Sequence, residues 1–180
     1  CTSMHGPLNS LSTSMKGASG LWQFMEGTGK IHGLAINSYV DERRDNIKST
    51  RAAIAYLSQL HQQFGKWYLA LIAYNCGDGR LNKAIRKAGT TDINTLVNLS
   101  SNHLPKESQK YIRKILALAL LATEDTLLST LQENKGEKRV DDSITTVYLP
   151  EGENIDRIAA VLEMPKQQLK QLNTHLKKGI

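Results

Sequence analysis

The 180-residue sequence has little cysteine and lacks long apolar segments. Its two cysteines, Cys1 and Cys76, are too few for a disulfide framework. We expect Cys76 to be a small buried side chain rather than a reactive thiol, because free cysteine is among the most buried residue types. The longest apolar run, residues 115–122, is far shorter than the ~20 residues that a membrane-spanning helix needs. No basic segment followed by an apolar one opens the sequence, so we expect no signal peptide within it.

Acidic residues are scarcer than basic ones. The sequence has 23 Lys and Arg against 17 Asp and Glu, a net charge of +6, which favours an anionic partner. Residues 1–139 carry 18 basic and 11 acidic side chains, whereas residues 140–180 carry 5 and 6, so the surplus belongs to the first segment. No basic helical stripe interleaved with aromatic residues is present, which argues against nucleic-acid binding. An anionic membrane surface and an acidic cell-wall polymer remain open as partners.

Apolar residues at helical spacing predict a mainly α-helical fold for the first segment. Short helices separated by tight turns are expected near the start, where glycines are frequent. The predicted helices that follow are a helix from an Asp45 cap to Phe64, an almost wholly apolar helix over 66–75, a helix from Asp78 to Gly89, a short helix from Thr91 or Asp92 through Leu99, and a long helix from Pro105 to about Ala122.

Charged residues without apolar periodicity crowd together between 132 and 143 and predict a linker. We therefore divide the chain into a first domain over 1–125, a charged linker over 126–143 and a small α+β unit over 144–180. In the last unit, residues 145–149 have the composition of a strand, and the pattern of 155–162 and 166–172 predicts two helices.

The first candidate functional segment is Gly17-Ala18-Ser19-Gly20-Leu21-Trp22-Gln23-Phe24-Met25. One interpretation is a glycine-rich turn that leads into a helix. The other is the floor of a binding groove, in which Trp22 stacks on a sugar ring or packs inward. In that groove Gln23 would form hydrogen bonds with a substrate amide or hydroxyl group.

Two further segments carry polar groups at the ends of apolar helices. Residues 73–80 close the apolar helix with the pair Tyr74 and Asn75, which either caps helix carbonyls or lines a site. Residues 104–111 end in Tyr111, whose side chain either faces a cleft or reaches the surface. Spacing alone leaves both interpretations open for each segment.

Taken together and in this order, the three segments resemble the lytic transglycosylase domain of bacterial cell-wall enzymes, which is related to goose-type lysozyme. The resemblance runs from about His5 to Thr123 and includes the stretches 41–45 and 49–53. It implies a lysozyme-like helical domain. It also implies cleavage of the peptidoglycan glycan strand between N-acetylmuramic acid and N-acetylglucosamine without water, which leaves an anhydro-muramic end. The implied location is the bacterial cell envelope, either periplasmic or anchored to the outer membrane.

The resemblance also implies site residues. In the family, one glutamate serves as both acid and base. Ser14 matches a serine that forms hydrogen bonds near this group, and the matches to cleft-lining residues are Gln23, Met25, Tyr74, Asn75 and Tyr111. The glutamate position, eighteen residues before Gln23, is occupied here by His5. Glu26 is the nearest carboxylate in sequence, and we expect it to face solvent.

Two hypotheses follow for the first domain. In one, the chain is a transglycosylase that uses His5, whose imidazolium donates a proton but supplies no negative charge to an oxocarbenium-like transition state. In the other, it is a non-catalytic module that binds peptidoglycan glycan strands. We expect a monomer without a cofactor, and without a metal because the histidines show no paired ligand spacing. Lipid modification of Cys1 remains open.

The C-terminal unit carries a second resemblance. Residues 146–155, followed by Ile158-Ala159, Leu169 and Leu172-Asn173, look like a LysM module, a kind of domain that binds glycans containing N-acetylglucosamine. The match covers about 146 to 176 and stops before the closing strand of such a module. The segment is therefore either a second glycan-binding unit or a structural appendage.

Overall fold

The computed structural model describes residues 12–122, 145–149 and 152–177. These residues are mainly α-helical, as predicted, with a 3₁₀ turn over Glu42–Arg44. No helix in these three ranges is both long enough and apolar enough to cross a membrane. In chain order the helices are α1 (Glu26–Ile31), α2 (Asn46–Phe64), α3 (Trp67–Cys76), α4 (Asp78–Ala88), α5 (Ile93–Leu96), α6 (Lys106–Ala122), α7 (Ile155–Val161) and α8 (Lys166–Leu172).

The predicted helix ends at Asp45, Asp92 and Gly89 are confirmed. The expectation that Asp78 caps a helix is wrong, because Asp78 is the first residue of α4 and its N-cap residue is Gly77. Asp45 Oδ1 accepts hydrogen bonds from the backbone N–H groups of Ile47 and Lys48 at the start of α2, each at 2.9 Å. Asp92 caps α5 by accepting from the N–H of Thr95 at 2.8 Å. Gly89 ends α4 in the left-handed conformation.

Helix α5 is shorter than predicted and ends at Leu96 rather than Leu99. The backbone carbonyl groups that follow α5 accept hydrogen bonds from side chains of α6. Arg113 Nε donates to the carbonyl of Val97 at 3.2 Å, and Gln109 Nε2 donates to that of Asn98 at 2.9 Å. Tertiary hydrogen bonds therefore replace the last predicted turn of helix.

The predicted strand over 145–149 is not formed, which corrects that part of the α+β expectation. Tyr148 is 93% exposed, and none of the described residues forms a bridge with this segment. A β-prone segment stays irregular without a partner strand, because its backbone groups then have no ladder to join. The two helices predicted next are confirmed as α7 and α8, the latter with the predicted bounds.

The described residues form two compact units. One contains 56–122, and the other contains 12–55 together with 145–149 and 152–177. Helix α2 contributes residues to both. The domain boundaries expected near 125 and 144 stay predictions, and the linker over 126–143 lies outside the described residues.

Helix α3 lies at the centre of the unit that contains 56–122, as its apolar sequence predicts. It packs against α4 and α6. Its side chains Leu69, Ala70, Ile72 and Ala73 are at most 1% exposed. Complete burial of a large apolar side chain stabilises a fold by roughly 1.5–3 kcal/mol. This core therefore gives a rigid base to Tyr74 and Asn75, which follow on the same helix.

Candidate functional site

Residues 12–25 form a tight loop in the unit that contains 12–55. The backbone N–H of Ser14 donates to the carbonyl of Ala18 at 2.8 Å, and Ser14 Oγ accepts from the N–H of Ala18 at 3.0 Å. Gly17 and Gly20 have φ values of 82° and 80°. The segment is therefore a glycine-dependent turn in which the Ser14 hydroxyl supports the backbone. Its expected place near a catalytic group stays a prediction.

Gln23 adopts an unusual backbone conformation for a residue with a side chain, with φ at 52°. Its Nε2 group donates to Ser12 Oγ at 2.8 Å and to the carbonyl of Gly20 at 2.7 Å. A conformation of this kind costs ~1–3 kcal/mol and is concentrated at functional sites, where the surrounding structure maintains it. The loop thus holds the Gln23 amide in one defined, partly exposed position.

Trp22 and Met25, which lie one residue before and two residues after this glutamine, differ in their exposure. Trp22 is half-buried, and its indole N–H donates to Thr50 Oγ1 on α2 at 2.8 Å. Of the two interpretations of this tryptophan, inward packing fits the structure. Met25 is 46% exposed and precedes α1, so its thioether is accessible to a ligand.

Arg43 supports this loop, and sequence reasoning did not single it out. Its guanidinium is almost fully buried and donates twice to Asp41, from Nε to Oδ1 at 2.8 Å and from Nη2 to Oδ2 at 2.7 Å. Nη1 donates to the carbonyls of Gly17 at 2.8 Å and Phe24 at 3.1 Å. The sequence did contain one indication of this pair, because Asp41 stands two residues before Arg43 in a segment that carries the family resemblance.

The Asp41 carboxyl shows why this arginine can be buried. Burial alone raises the pKa of Asp41, but the hydrogen bonds and positive charge of Arg43 outweigh it, so the pKa lies below its usual value. The carboxylate is therefore ionised at neutral pH and neutralises the guanidinium. Buried charges are tolerated when they are paired and hydrogen-bonded in this way.

The other predicted residues lie in the unit that contains 56–122. The rings of Tyr56 and Tyr74 are 5.3 Å apart between centroids and tilted by 44°. Burial raises the pKa of both Tyr74 and Tyr111 above the ordinary value for a phenol. Both side chains are therefore neutral at physiological pH and suited to hydrogen bonding with uncharged groups.

Asn75 does not cap its helix, which corrects one of the two interpretations of this pair. Helix α3 continues to Cys76, and Gly77 is its C-cap residue. The Asn75 Oδ1 atom is buried and has no hydrogen-bond partner among the described residues. An unpaired buried oxygen costs ~1–3 kcal/mol and calls for an explanation, such as a bound water or ligand.

Glu26 is exposed, as expected. Its carboxylate accepts a hydrogen bond from Lys30 Nζ at 2.7 Å, and this bond and the lysine charge lower its pKa. It therefore lacks the raised pKa that a general acid requires. His5 lies outside the described residues. Within the described ranges, no three His, Cys, Asp or Glu side chains are grouped as metal ligands.

Cys76 is buried and free, and burial raises its pKa to about 11. Since the thiolate is the nucleophile, we expect iodoacetamide at mildly alkaline pH to alkylate it at least ~100-fold more slowly in the native protein than in urea. The measurement is mass spectrometry of a Cys1→Ser variant over time. Equal rates in the two conditions would show that the thiol is accessible.

A family model for the transglycosylase SLT domain matches residues 7–97, half of the chain. The chain belongs to this family. The SLT match contains Ser14, Gln23, Met25, Tyr74 and Asn75, while His5 and Tyr111 lie outside it. The resemblance to lytic transglycosylases is thereby confirmed at the level of the family.

Curated relatives agree with the SLT assignment. Membrane-bound lytic murein transglycosylase D of Escherichia coli strain K12, and the protein of the same name from E. coli O6:H1 strain CFT073, are each 30% identical over 167 residues, or 92% of this chain and 36% of theirs. A putative tributyltin chloride resistance protein of Alteromonas sp. strain M-1 is 44% identical over 78 residues, or 43% of this chain and 38% of its own. The chain thus spans little more than a third of the length of these relatives.

Proposed function

We propose that this SLT-family chain binds the glycan strands of peptidoglycan, and that cleavage of the strand depends on the group at position 5. The observation that carries the proposal is Gln23. Its backbone is strained, and its side-chain amide donates two hydrogen bonds that fix this polar group within the region matched by the family model. The names of the E. coli relatives, which are lytic murein transglycosylases, support the same class of substrate.

The chemistry of the predicted residues suits an amino sugar polymer. Tyr74 and Tyr111 offer neutral phenols, Asn75 offers an unpaired amide oxygen, and Met25 offers an exposed apolar surface. N-acetyl and hydroxyl groups of sugars form hydrogen bonds with such neutral donors and acceptors. The net charge of +6 favours a polymer whose stem peptides carry carboxylates.

Binding is tested by a sedimentation assay with insoluble peptidoglycan. We expect Gln23→Ala and Tyr74→Phe each to weaken binding about threefold to tenfold, which corresponds to the loss of one net hydrogen bond. Gln63→Ala and Tyr39→Phe make the same chemical changes at exposed positions and should bind like the unmodified chain. Failure of the unmodified chain to sediment would contradict the proposal, and equal weakening by the control variants would show that the effect is not specific to the site.

Two finer parts of the proposal rest on the sequence. The LysM-like segment over 146–176 is proposed to add a second contact with glycans that contain N-acetylglucosamine. The place of action is proposed to be the bacterial cell envelope, in the periplasm or at the outer membrane, with the chain acting as a monomer. The membrane-bound description of the E. coli relatives supports the envelope location.

A further inference from the structure

Several side-chain bonds hold the loop that carries Gln23, among them that of Trp22 to Thr50 and that of Arg44 Nε to Ser19 Oγ at 3.3 Å. Of the partners outside the loop, Arg43 is the most deeply buried. Arg43 Nη1 binds the carbonyls of Gly17 and Phe24, which lie on either side of this glutamine in the chain. The rest of the guanidinium is occupied by Asp41. The orientation of the loop therefore depends in part on where the Asp41 and Arg43 pair is fixed.

A segment more than 130 residues further along the chain fixes that pair. The backbone N–H of Asp41 donates to the carbonyl of His175 at 2.7 Å, and the N–H of Lys177 donates to the carbonyl of Tyr39 at 2.7 Å. Val40 and Leu176 form an antiparallel bridge between these two bonds. Residues 175–177 therefore pair with residues 39–41 as a short antiparallel ladder.

Side chains of the same segment strengthen this pairing at both ends. Thr174 Oγ1 donates to the carbonyl of Arg44 at 2.8 Å. Lys177 Nζ donates to the carbonyl of Asn37 at 2.7 Å and lies 3.9 Å from Asp41 Oδ2, so its charge adds to that of Arg43 around the buried carboxylate. We name residues 174–177 the C-terminal brace.

We propose that Arg43 is a positioning residue for the glycan-binding loop, and that the C-terminal brace holds Arg43 in place through Asp41. This inference rests on the proposed function, because it assigns to these residues an effect on glycan binding without contact with the glycan. Residues 174–176 fall within the LysM-like segment. The inference gives that segment a role in positioning Asp41 and Arg43, which does not require that it bind sugar.

The physical reason is the strain at Gln23. A positive φ at a residue with a side chain persists only while neighbouring contacts maintain it. If the brace is lost, the loop populates ordinary conformations, and the fraction of molecules with Gln23 in place decreases. Apparent affinity decreases in proportion to that fraction. If the fraction falls to between a fifth and a tenth of its original value, the Kd rises about fivefold to tenfold.

The experiment uses two substitutions in the full chain and one shortened chain. Arg43→Lys keeps the charge but loses the planar group that reaches Asp41 and two carbonyls together. Lys177→Met removes one positive charge and keeps an unbranched side chain of similar length. The third variant ends after Asn173. The matched controls are Arg86→Lys, Lys170→Met and a chain that ends after Lys177; both control side chains are exposed.

Two measurements distinguish an effect on the position of the loop from an effect on the stability of the whole protein. The first is the Kd for soluble glycan strands released from peptidoglycan by an amidase. The second is the pair of indole N–H resonances in the NMR spectrum, because the chain has two tryptophans. Trp22 reports on the loop through its bond to Thr50, and Trp67, stacked on His61 in the unit that contains 56–122, is the internal reference.

We expect Arg43→Lys and the chain ending after Asn173 to raise the Kd about fivefold or more and to shift or broaden the Trp22 resonance, with Trp67 unchanged. Lys177→Met should give a smaller change in the same direction. A lower melting temperature with an unchanged Kd and Trp22 resonance, measured well below that temperature, would overturn the inference. If the unmodified chain binds no glycan, the proposed function fails, while the Trp22 resonance still tests whether the brace positions the loop.

Discussion

Gly20→Ala is expected to destabilise the protein by about 3–5 kcal/mol and to abolish glycan binding. Gly20 has φ at +80°, and a Cβ atom added there would lie 1.7 Å from the carbonyl oxygen of Arg43. Real Cβ contacts essentially never fall below 3.0 Å, and the atom it meets is backbone, which cannot rotate away. The loop must therefore separate from the segment that holds it.

Gly17→Ala is the matched control for this variant. Gly17 has φ at +82°, but an added Cβ would have no atom within 4 Å. It should cost only the ~1–2 kcal/mol of a left-handed conformation. Urea unfolding followed by Trp22 fluorescence, with both variants made in a Trp67→Phe background, measures the two losses. Equal losses would show that the close approach to Arg43 is not the cause.

His5→Glu is expected to raise the release of anhydro-muropeptides from purified peptidoglycan by ~10²–10⁴-fold over the unmodified chain. The resemblance to lytic transglycosylases implies a glutamate at this position, and a carboxylate supplies both the proton and the negative charge that the transition state requires. Chromatography of the digestion products measures the release. His5→Gln, which introduces a side chain of the size of glutamate without an acid, should release no more product than the unmodified chain.

The outcomes of this digestion separate the two hypotheses for the first domain. Release by the unmodified chain at the level of His5→Glu would contradict the non-catalytic reading, because the imidazole would then suffice. No release by either chain, together with retained sedimentation on peptidoglycan, would show that more than the residue at position 5 is missing. It would leave the chain as a glycan-binding member of the SLT family.

The helices could be predicted from sequence because their signals are local. Asp45, Asp92 and Gly89 mark helix ends through contacts within four residues, and the structure places them as predicted. The end of α5 and the absence of a strand over 145–149 could not be predicted in this way. The first depends on side chains of α6, and the second on whether a partner strand is present.

The same difference between local and tertiary signals applies to the candidate site. Motif order predicted Gln23 and Tyr74 as site residues, but it could not show that the Gln23 backbone is strained or that the Asn75 oxygen is unpaired. Arg43 was overlooked because an arginine within a charged run is usually solvated. Its burial depends on hydrogen bonds to carbonyls 19 and 26 residues earlier in the chain.

The sequence alone determined the mainly helical fold, most helix ends and membership of the SLT family, because apolar spacing, caps and short motifs are contained in consecutive residues. Only the tertiary structure decided that residues 174–177 pair with residues 39–41, that Arg43 is buried on Asp41, and that Gly20 must lack a side chain. These features depend on hydrogen bonds and close approaches between residues far apart in the chain, and which partners meet is settled only when the chain is packed.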